Sequence, residues 1–337
     1  MKKILYIGNK LSKHGNNATS IETLGAFLEN ENYSLIYASD KKNKILRLLD
    51  MITKTIQSKN DVFVVLIDVY STANFWYAFV ISQLCLILKL PYVAILHGGN
   101  LPYRLIKNPK LCNRIFSNSK FNVAPSMYLL HPFEKKYPNN TIYIPNTIDL
   151  LKYEYIQRDI LNPKILWVRS FSSIYNPEMA IQCIALLKEK YPEVALTMVG
   201  PDKEKILQDC KNLATKLKVN IEFLGKLEKE VWIKLAKDYS IFINTSNYDN
   251  MPISIIEAMA LGLPVVTTNV GGIPFLVEDE QTALLVNQND TVKMAEAIDR
   301  LISDKELSMQ IAKNARKLIQ SFDWEIVKNK WKVILQS

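Results

Sequence analysis

The sequence predicts an α/β chain made of two parallel-sheet units in tandem. Three observations carry this: short aliphatic and β-branched runs alternate with longer runs of helical period, the alternation occurs twice, and a polar stretch separates the two sets. The first set reads "KKILYIG", "SIETLGAFLEN", "YSLIYAS", "ILRLLDMITKTIQ", "DVFVVLID", "FWYAFVISQLCLILKL", "YVAILHGG", "FNVAPS" and "TIYIPNTID". After "LKYEYIQRDILNPK" the second reads "ILWVRSF", "PEMAIQCIALLKEKYP", "ALTMVG", "KEKILQDCKNLATKL", "IEFLG", "EVWIKLAKDY", "SIFINTS", "SIIEAMALG", "PVVTTN" and "TALLV". The junction is expected between Asn139 and Pro163, and a length of 337 residues suits two domains of roughly 150 each. Two such units predict a central cleft at the carboxyl ends of their strands, where open parallel sheets bind ligands.

Composition narrows the class. With 48% hydrophobic and 22% charged residues and no repeat, the chain reads as globular. The apolar run in "MKKILYIGNK" ends at Gly8, far short of a signal-peptide core, and is expected to be a buried first strand. The window "NFWYAFVISQLCLILKLPYVAIL" is interrupted by Ser82, Gln83, Lys89 and Pro91, so a helix followed by a strand is expected, with no membrane span. Cys85, Cys112, Cys183 and Cys210 lie far apart without a C-x-x-C pair, which argues against a zinc site or a disulfide framework and fits reduced thiols in the cytoplasm.

Charge is unevenly divided. Residues 1–150 hold 18 Lys/Arg against 9 Asp/Glu, whereas residues 151–337 hold 24 of each, so the whole net charge of +9 sits in the first half. An anionic partner is the functional reading, such as a phosphorylated acceptor or a lipid headgroup; a solvated lysine-rich face is the bland one. Arg104, Lys107, Lys110 and Arg114 recur at the spacing of one helical face, although Pro109 interrupts the helix. No nucleic-acid recognition motif accompanies them.

The loops at the strand ends carry the chemistry. Gly8 and Gly15 bracket the loop after the first strand, which enters a helix through Thr19 and Ser20 as capping candidates; a helix amino terminus is an anion site. The spacing matches neither a dinucleotide fingerprint nor a Walker loop. His97 stands at a strand end before Gly98 and Gly99, which let backbone approach closely; it is the best functional candidate of the three histidines, ahead of His14 and His131. Arg169 ends the first strand of the second set, where a planar, permanently charged fork suits a diphosphate. Asp249 ends "SIFINTS", and Glu257 lies in the following helix, with backbone amides from Asn250 to Ser254 between them. Pro252 is tolerated there because first-turn residues lack an intrahelical N–H partner. Carboxylates at these positions suit a polyol, each accepting from two hydroxyls; an N-cap at Asp249 and a partly exposed acid at Glu257 are the structural alternatives.

The segment "YDNMPISIIEAMALGLPVVTTNVGGIPFLVEDEQTALLV" resembles the nucleotide-sugar-binding region of the family 4 retaining glycosyltransferases (glycosyl transferases group 1), and "LHGGNLP", the arginine after "ILWV", "FLGKL" and "SFDWEIVKNKWKVIL" agree in order. The resemblance implies the GT-B fold of two Rossmann-like domains: residues 1–155 for the acceptor, 156–321 for the donor, and a closing helix at about 322–337 that packs back on the first domain. It implies transfer of a hexosyl or N-acetylhexosaminyl group from a nucleoside-diphosphate sugar, a UDP-sugar ahead of a GDP-sugar, to a hydroxyl of a saccharide or polyprenyl-diphosphate-linked saccharide. The setting it suggests is cell-surface polysaccharide synthesis at the inner face of the membrane, and no metal or other cofactor is required. By the same resemblance Glu257 takes the ribose hydroxyls. Asp249 takes those of the donor sugar, and Asn250, Met251, Pro252, Ile253 and Ser254 surround that sugar and its phosphate. Arg169 neutralises the diphosphate, Leu227 borders the base, Gly15 admits the phosphates, and His97 lines the reacting face. Arg104, Lys107, Lys110 and Arg114 form the acceptor or membrane patch.

Two positions depart from the family pattern. Asp249 replaces the usual first glutamate of an E-x7-E pair, and the lysine that usually follows the arginine is missing, with Asn176 proposed as a neutral substitute. A GT-B nucleotide-sugar epimerase and a non-catalytic sugar-nucleotide-binding subunit are the competing readings.

Overall fold

The structure, a computed structural model, describes residues 3–15, 18–158 and 163–336. Asn16 and Asn17 of the first glycine loop, residues 159–162 of the expected junction and Ser337 at the chain end lie outside the described residues. The chain divides into two compact units, Met1–Thr147 with Ile326–Ser337, and Ile148–Glu325. The passage at residue 148 comes ahead of the expected 155/156 because the intervening residues bond within the second unit. The Ile148 amide donates to Phe322 O at 3.2 Å, the Trp324 amide donates to Ile148 O at 2.9 Å, and the Tyr153 hydroxyl donates to Glu257.

The first unit is a six-stranded parallel sheet of β1 (Lys3–Ile7), β2 (Ser34–Ala38), β3 (Val62–Val69), β4 (Tyr92–Leu96), β5 (Phe121–Ala124) and β6 (Thr141–Tyr143), in the order β2-β1-β3-β4-β5-β6. Helices α1 (Ser20–Asn30), α2 (Lys44–Gln57), α3 (Phe75–Ile87), α4 (Leu101–Lys107), α5 (Pro109–Phe116) and α6 (Met127–Lys136) connect the strands. Strands β3 and β4 read as continuous apolar runs because helices cover both faces of the sheet, and Leu5, Val65, Ile67, Phe75, Ile81 and Phe116 form its core. Thr19 caps α1 through a reciprocal capping box with Glu22.

Pro109 opens α5 directly after Asn108, so the four spaced basic residues fall on two helices. The interruption expected at Pro109 is present, and the four residues do not share one helical face. Arg104 turns inward, donating from Nε to Ser71 O at 2.7 Å with its guanidinium 4.4 Å over the Phe75 ring, while Lys107, Lys110 and Arg114 stay exposed.

The second unit is also a six-stranded parallel sheet, of β7 (Lys164–Val168), β8 (Ala195–Val199), β9 (Asn220–Gly225), β10 (Ile241–Asn244), β11 (Val265–Thr268) and β12 (Leu284–Val286), in the order β12-β11-β10-β7-β8-β9. Its helices are α7 (Pro177–Leu187), α8 (Leu207–Leu217), α9 (Lys229–Leu235), α10 (Ile253–Ala260), α11 (Thr291–Ser303) and α12 (Lys305–Gln320). One face of the sheet packs Trp167, Ile181, Ile184 and Ile298, and the other packs Leu166, Phe242, Ile255 and Met259. Strand order reverses between β7 and β10, the switch point at which such sheets leave a crevice beyond the strand ends.

Helix α13 (Trp324–Gln336) carries the chain from the second unit into the first. It buries Val327, Trp331, Ile334 and Leu335, an i, i+4, i+7, i+8 stripe. At the end of α1, Glu31 pairs with Lys332 at 2.6 Å and Lys328 at 3.3 Å. The hydrogen bond from Lys332 in particular holds the Glu31 carboxyl below its ordinary pKa. A carboxylate depressed in the folded state stabilises above its unfolded pKa and loses that contribution as pH falls through the folded one. Glu31→Gln is expected to lower stability at neutral pH by about 0.5–1 kcal/mol. In urea titrations across pH, the gap to the parent should close below about pH 4.

Candidate active site

The switch point of the second unit brings Arg169 and Asp249 together, one just past β7 and the other on the loop after β10. They form an ion pair, with only 14% and 15% of their side-chain surfaces exposed. The Arg169 amide donates to Val199 O at 3.0 Å, and Nε donates to Asn244 Oδ1 at 3.3 Å. Its guanidinium lies 4.7 Å over the Tyr175 ring. Below it, Trp167 Nε1 donates to Thr245 Oγ1 at 3.0 Å, and that hydroxyl donates to Tyr175 O at 2.8 Å. Burial lowers the Arg169 pKa from its ordinary value, and contact with a carboxylate compensates the buried charge.

The glycine pair after β11 explains itself through this loop. The Gly272 amide donates to Asp249 O at 2.9 Å. A Cβ on Gly271 would lie 2.0 Å from Asp249 O, and one on Gly272 would lie 1.9 Å from Asn250 O. Gly271 also has a φ of +55°, which a side chain disfavours.

Helix α10 then begins without a side-chain cap, since Pro252 occupies its N-cap position. The amides of Ile255 and Ile256 return to Pro252 O, while those of Ile253 and Ser254 precede any intrahelical acceptor. The Ser254 hydroxyl is buried without a hydrogen-bond partner. These groups form a donor cluster at the positive end of a helix. Two of the expected contact residues have other work: the Asn250 amide donates to Asp249 Oδ1 at 2.8 Å, and Met251 packs into the core beneath the loop.

Glu257 lies a turn deeper and is 4% exposed. Its Oε1 accepts from the Tyr153 hydroxyl at 2.8 Å and from Lys229 Nζ at 2.6 Å, which rules out the exposed-acid alternative. Burial first, and then the Glu257 charge, push the Tyr153 phenol far up, so it stays a donor. Leu227, two residues before Lys229, is partly buried against the same core.

Asn176, expected as a neutral diphosphate donor, serves in this structure as a helix cap. It adopts φ 46°, ψ 59°, and its Oδ1 accepts from the Met179 amide at 3.3 Å at the start of α7. Its Nδ2 donates to Asn289 Oδ1 at 2.9 Å, so both ends of the amide are engaged. The neighbouring Tyr175, under Arg169, supplies a ring where a lysine was expected.

In the first unit the strand ends gather a second polar cluster. His97 Nε2 lies 2.9 Å from Asp68 Oδ1, which also accepts from the Tyr6 hydroxyl at 3.1 Å. A carboxylate oxygen accepts, so an Nε2–H would donate this bond. Tyr70 covers the imidazole at 5.4 Å between centroids. Burial, followed by the Asp68 charge, raises the pKa of both Tyr6 and Tyr70. Asp68 Oδ2 is buried without a partner, and a Cβ on Gly8 would lie 2.5 Å from it. Gly98 admits neighbouring backbone: its Cβ would meet Ser71 N at 2.2 Å. Gly15 has φ +83° with open space around it. His14 Nε2 lies 2.9 Å from Asp40 O on the surface. Among the described residues, no group of three or more His, Cys, Asp or Glu is arranged to hold a metal ion.

Residues 158–318 match the model of the family described as "Glycosyl transferases group 1". The match takes in a little under half of the chain. The matched segment contains Arg169, Leu227 and the whole Asp249 to Glu257 run, whereas Gly15 and His97 lie outside it. An uncharacterized glycosyltransferase of Haemophilus influenzae is 30% identical over 205 residues, covering 60% of this chain and 57% of that relative. The N-acetyl-alpha-D-glucosaminyl L-malate synthase of Bacillus anthracis is 27% identical over 248 residues, covering 68% and 63%. The chain thus spans about three fifths of the length of these curated relatives. Among solved structures, sucrose-phosphate synthase from Thermosynechococcus elongatus superposes with a TM-score of 0.83 at 18% identity, covering 100% of this chain and 99% of that one. Anabaena HepE in complex with UDP and glucose superposes at 0.80 with 19% identity, covering 100% of both. These likenesses establish the shared fold, two α/β parallel-sheet units of the GT-B class.

The two loop glycines separate close packing from conformational freedom. Gly271→Ala is expected to cost about 3 kcal/mol or more, because it combines a positive φ with a backbone clash. Gly15→Ala, with the same sign of φ and no clash, should cost about 1–2 kcal/mol. Urea denaturation of the two variants compares them.

Proposed function

We propose that this protein is a retaining glycosyltransferase. It moves a hexosyl or N-acetylhexosaminyl group from a nucleoside-diphosphate sugar to a hydroxyl of a saccharide or lipid-linked saccharide. The observation that carries the reading is the uncapped start of α10 with its buried, unpartnered Ser254 hydroxyl, on the same loop as an Asp249 that engages Arg169. A cluster of orphan donors beside a masked guanidinium suits a diphosphate. A UDP-sugar is the first choice of donor and a GDP-sugar the second. Support for UDP comes from structures of the same fold, because Anabaena HepE has been solved with UDP-glucose and Staphylococcus aureus TarM with UDP.

In this mechanism the diphosphate takes the Arg169 guanidinium from Asp249, and Asp249 turns to the hydroxyls of the donor sugar. The first amides of α10 and the Ser254 hydroxyl hold the phosphates. Ribose hydroxyls replace the Tyr153 and Lys229 donors on Glu257, and the displaced Lys229 contributes the cation that a residue after Arg169 would otherwise supply. The bond between the anomeric carbon and the phosphate oxygen breaks with its electron pair going to the phosphate. An oxocarbenium-like sugar remains, and the acceptor oxygen bonds to its same face while the departing phosphate takes the hydroxyl proton. Catalysis is positioning and leaving-group electrostatics. His97, whose Nε2 contacts Asp68, is the first unit's candidate catalytic residue. The first unit takes the acceptor, in cell-surface polysaccharide synthesis, from a cytoplasmic position peripheral to the membrane. Among the described residues, no helix is long and apolar enough to cross a bilayer.

Calorimetric titration with UDP, GDP, ADP, dTDP and CMP tests the reading. One nucleotide is expected to bind selectively, with affinity falling tenfold or more in Glu257→Ala and in Arg169→Gln. Binding of none of them would overturn the donor site and with it the transferase.

A further inference from the structure

Helix α2 carries an aliphatic stripe on its outer side. At 100° per residue, Ile45, Leu49 and Ile56 fall within about 40° of one another with Leu46 at their flank. All four point to solvent, with Ile45 72% and Leu46 56% exposed. The opposite face, turned toward the sheet, carries Arg47, Met51 and Thr55 as its buried residues. Arg47 is held there by Asn9 Oδ1 at 3.0 Å and by the carbonyl oxygens of Lys41 at 2.8 Å and Lys42 at 3.0 Å. Thr55 Oγ1 donates to Met51 O at 2.7 Å, and Lys54 Nζ donates to Tyr37 O at 2.9 Å. Packing on the sheet uses Met51 and Ile52 together with these polar anchors and leaves the outward aliphatic stripe without a role. That stripe is therefore explained by something other than the fold of the unit.

Charge indicates what covers it. Residues 41–59 contain Lys41, Lys42, Lys44, Arg47, Lys54 and Lys59 against Asp50 alone, a net +5 within nineteen residues and more than half of the excess of the whole chain. Lys41, Lys42, Lys44 and Lys59, at the two ends of the helix, are exposed. Aliphatic residues on one face with lysines at the ends are the pattern of a helix lying in the plane of a lipid interface, where apolar burial and attraction to anionic headgroups act together. A second copy of this chain would bring a second +5 to the same surface and be repelled.

We propose that α2 is the membrane-docking element of the first unit, seating Ile45, Leu46, Leu49 and Ile56 in an anionic bilayer. The inference deepens the peripheral-membrane part of the proposed function and rests on it. It moves the contact from the Arg104 to Arg114 patch to α2.

Sedimentation with phosphatidylcholine vesicles, with and without phosphatidylglycerol, tests it. The expected result is binding of the whole protein to the anionic vesicles only, weakened at least tenfold in Ile45→Ser/Leu49→Ser/Ile56→Ser, whose substitutions are all exposed, and weakened by raised salt. A control triple variant, Lys107→Ser/Lys110→Ser/Arg114→Ser, should lose less. If the α2 variant binds as the parent does while the control does not, the inference is overturned and the peripheral reading stands. If the parent ignores anionic vesicles, both fall, whatever nucleotide binding shows. If the parent is a salt-insensitive dimer that the α2 substitutions dissociate, a second copy occupies the stripe and the bilayer proposal is overturned.

Discussion

The ion pair between Arg169 and Asp249 is the constraint from which the second unit is best understood. Two opposite charges so little exposed are tolerable only when they neutralise each other. The surroundings are arranged to hold them together: Asn244 under the guanidinium, the Tyr175 ring against it, and the Gly271–Gly272 turn pinning the Asp249 backbone. The pair also gives the site a defined resting state. A cation already engaged by a carboxylate is released only to a stronger anion, which is the role the proposed function gives to a diphosphate. Glu257 repeats the device one turn deeper, where Lys229 and Tyr153 engage its buried carboxylate.

Much of this was legible in the sequence, and the reasons are specific. The alternation of "ILWV", "SIFINTS" and "PVVTT" with helical runs marks the strands, so Arg169 and Asp249 are recognisably at strand ends. Their contact is not legible, because it depends on β7 lying beside β10, and sheet order leaves no trace in local periodicity. Tyr153 and Lys229 were missed for the same reason, since each reaches Glu257 from a distant part of the chain. Asp68 reads as one more residue of a buried strand until β3 and β4 are seen side by side.

The capping position of Asn176 is also legible in the sequence. An asparagine immediately before proline at a helix start is a capping signature, and both ends of its amide are engaged accordingly. The basic residues are less legible. Spacing alone assigned Arg104 to an outward face, yet its guanidinium stacks on Phe75 beneath the surface. The more concentrated charge lies around α2, whose sequence reads as an ordinary amphipathic helix and does not indicate which side faces the sheet.

The central claim is that Arg169 is masked by Asp249 until a diphosphate arrives. The most direct measurement is the affinity of Asp249→Asn for UDP, the sugar-free diphosphate. The asparagine can still accept from the Asn250 amide, so the loop is preserved while the competing charge is removed. Binding equal to or several-fold tighter than that of the parent is predicted. A tenfold loss of UDP affinity in a folded Asp249→Asn protein would contradict the claim, and would mean that the carboxylate assists diphosphate binding instead of competing with it.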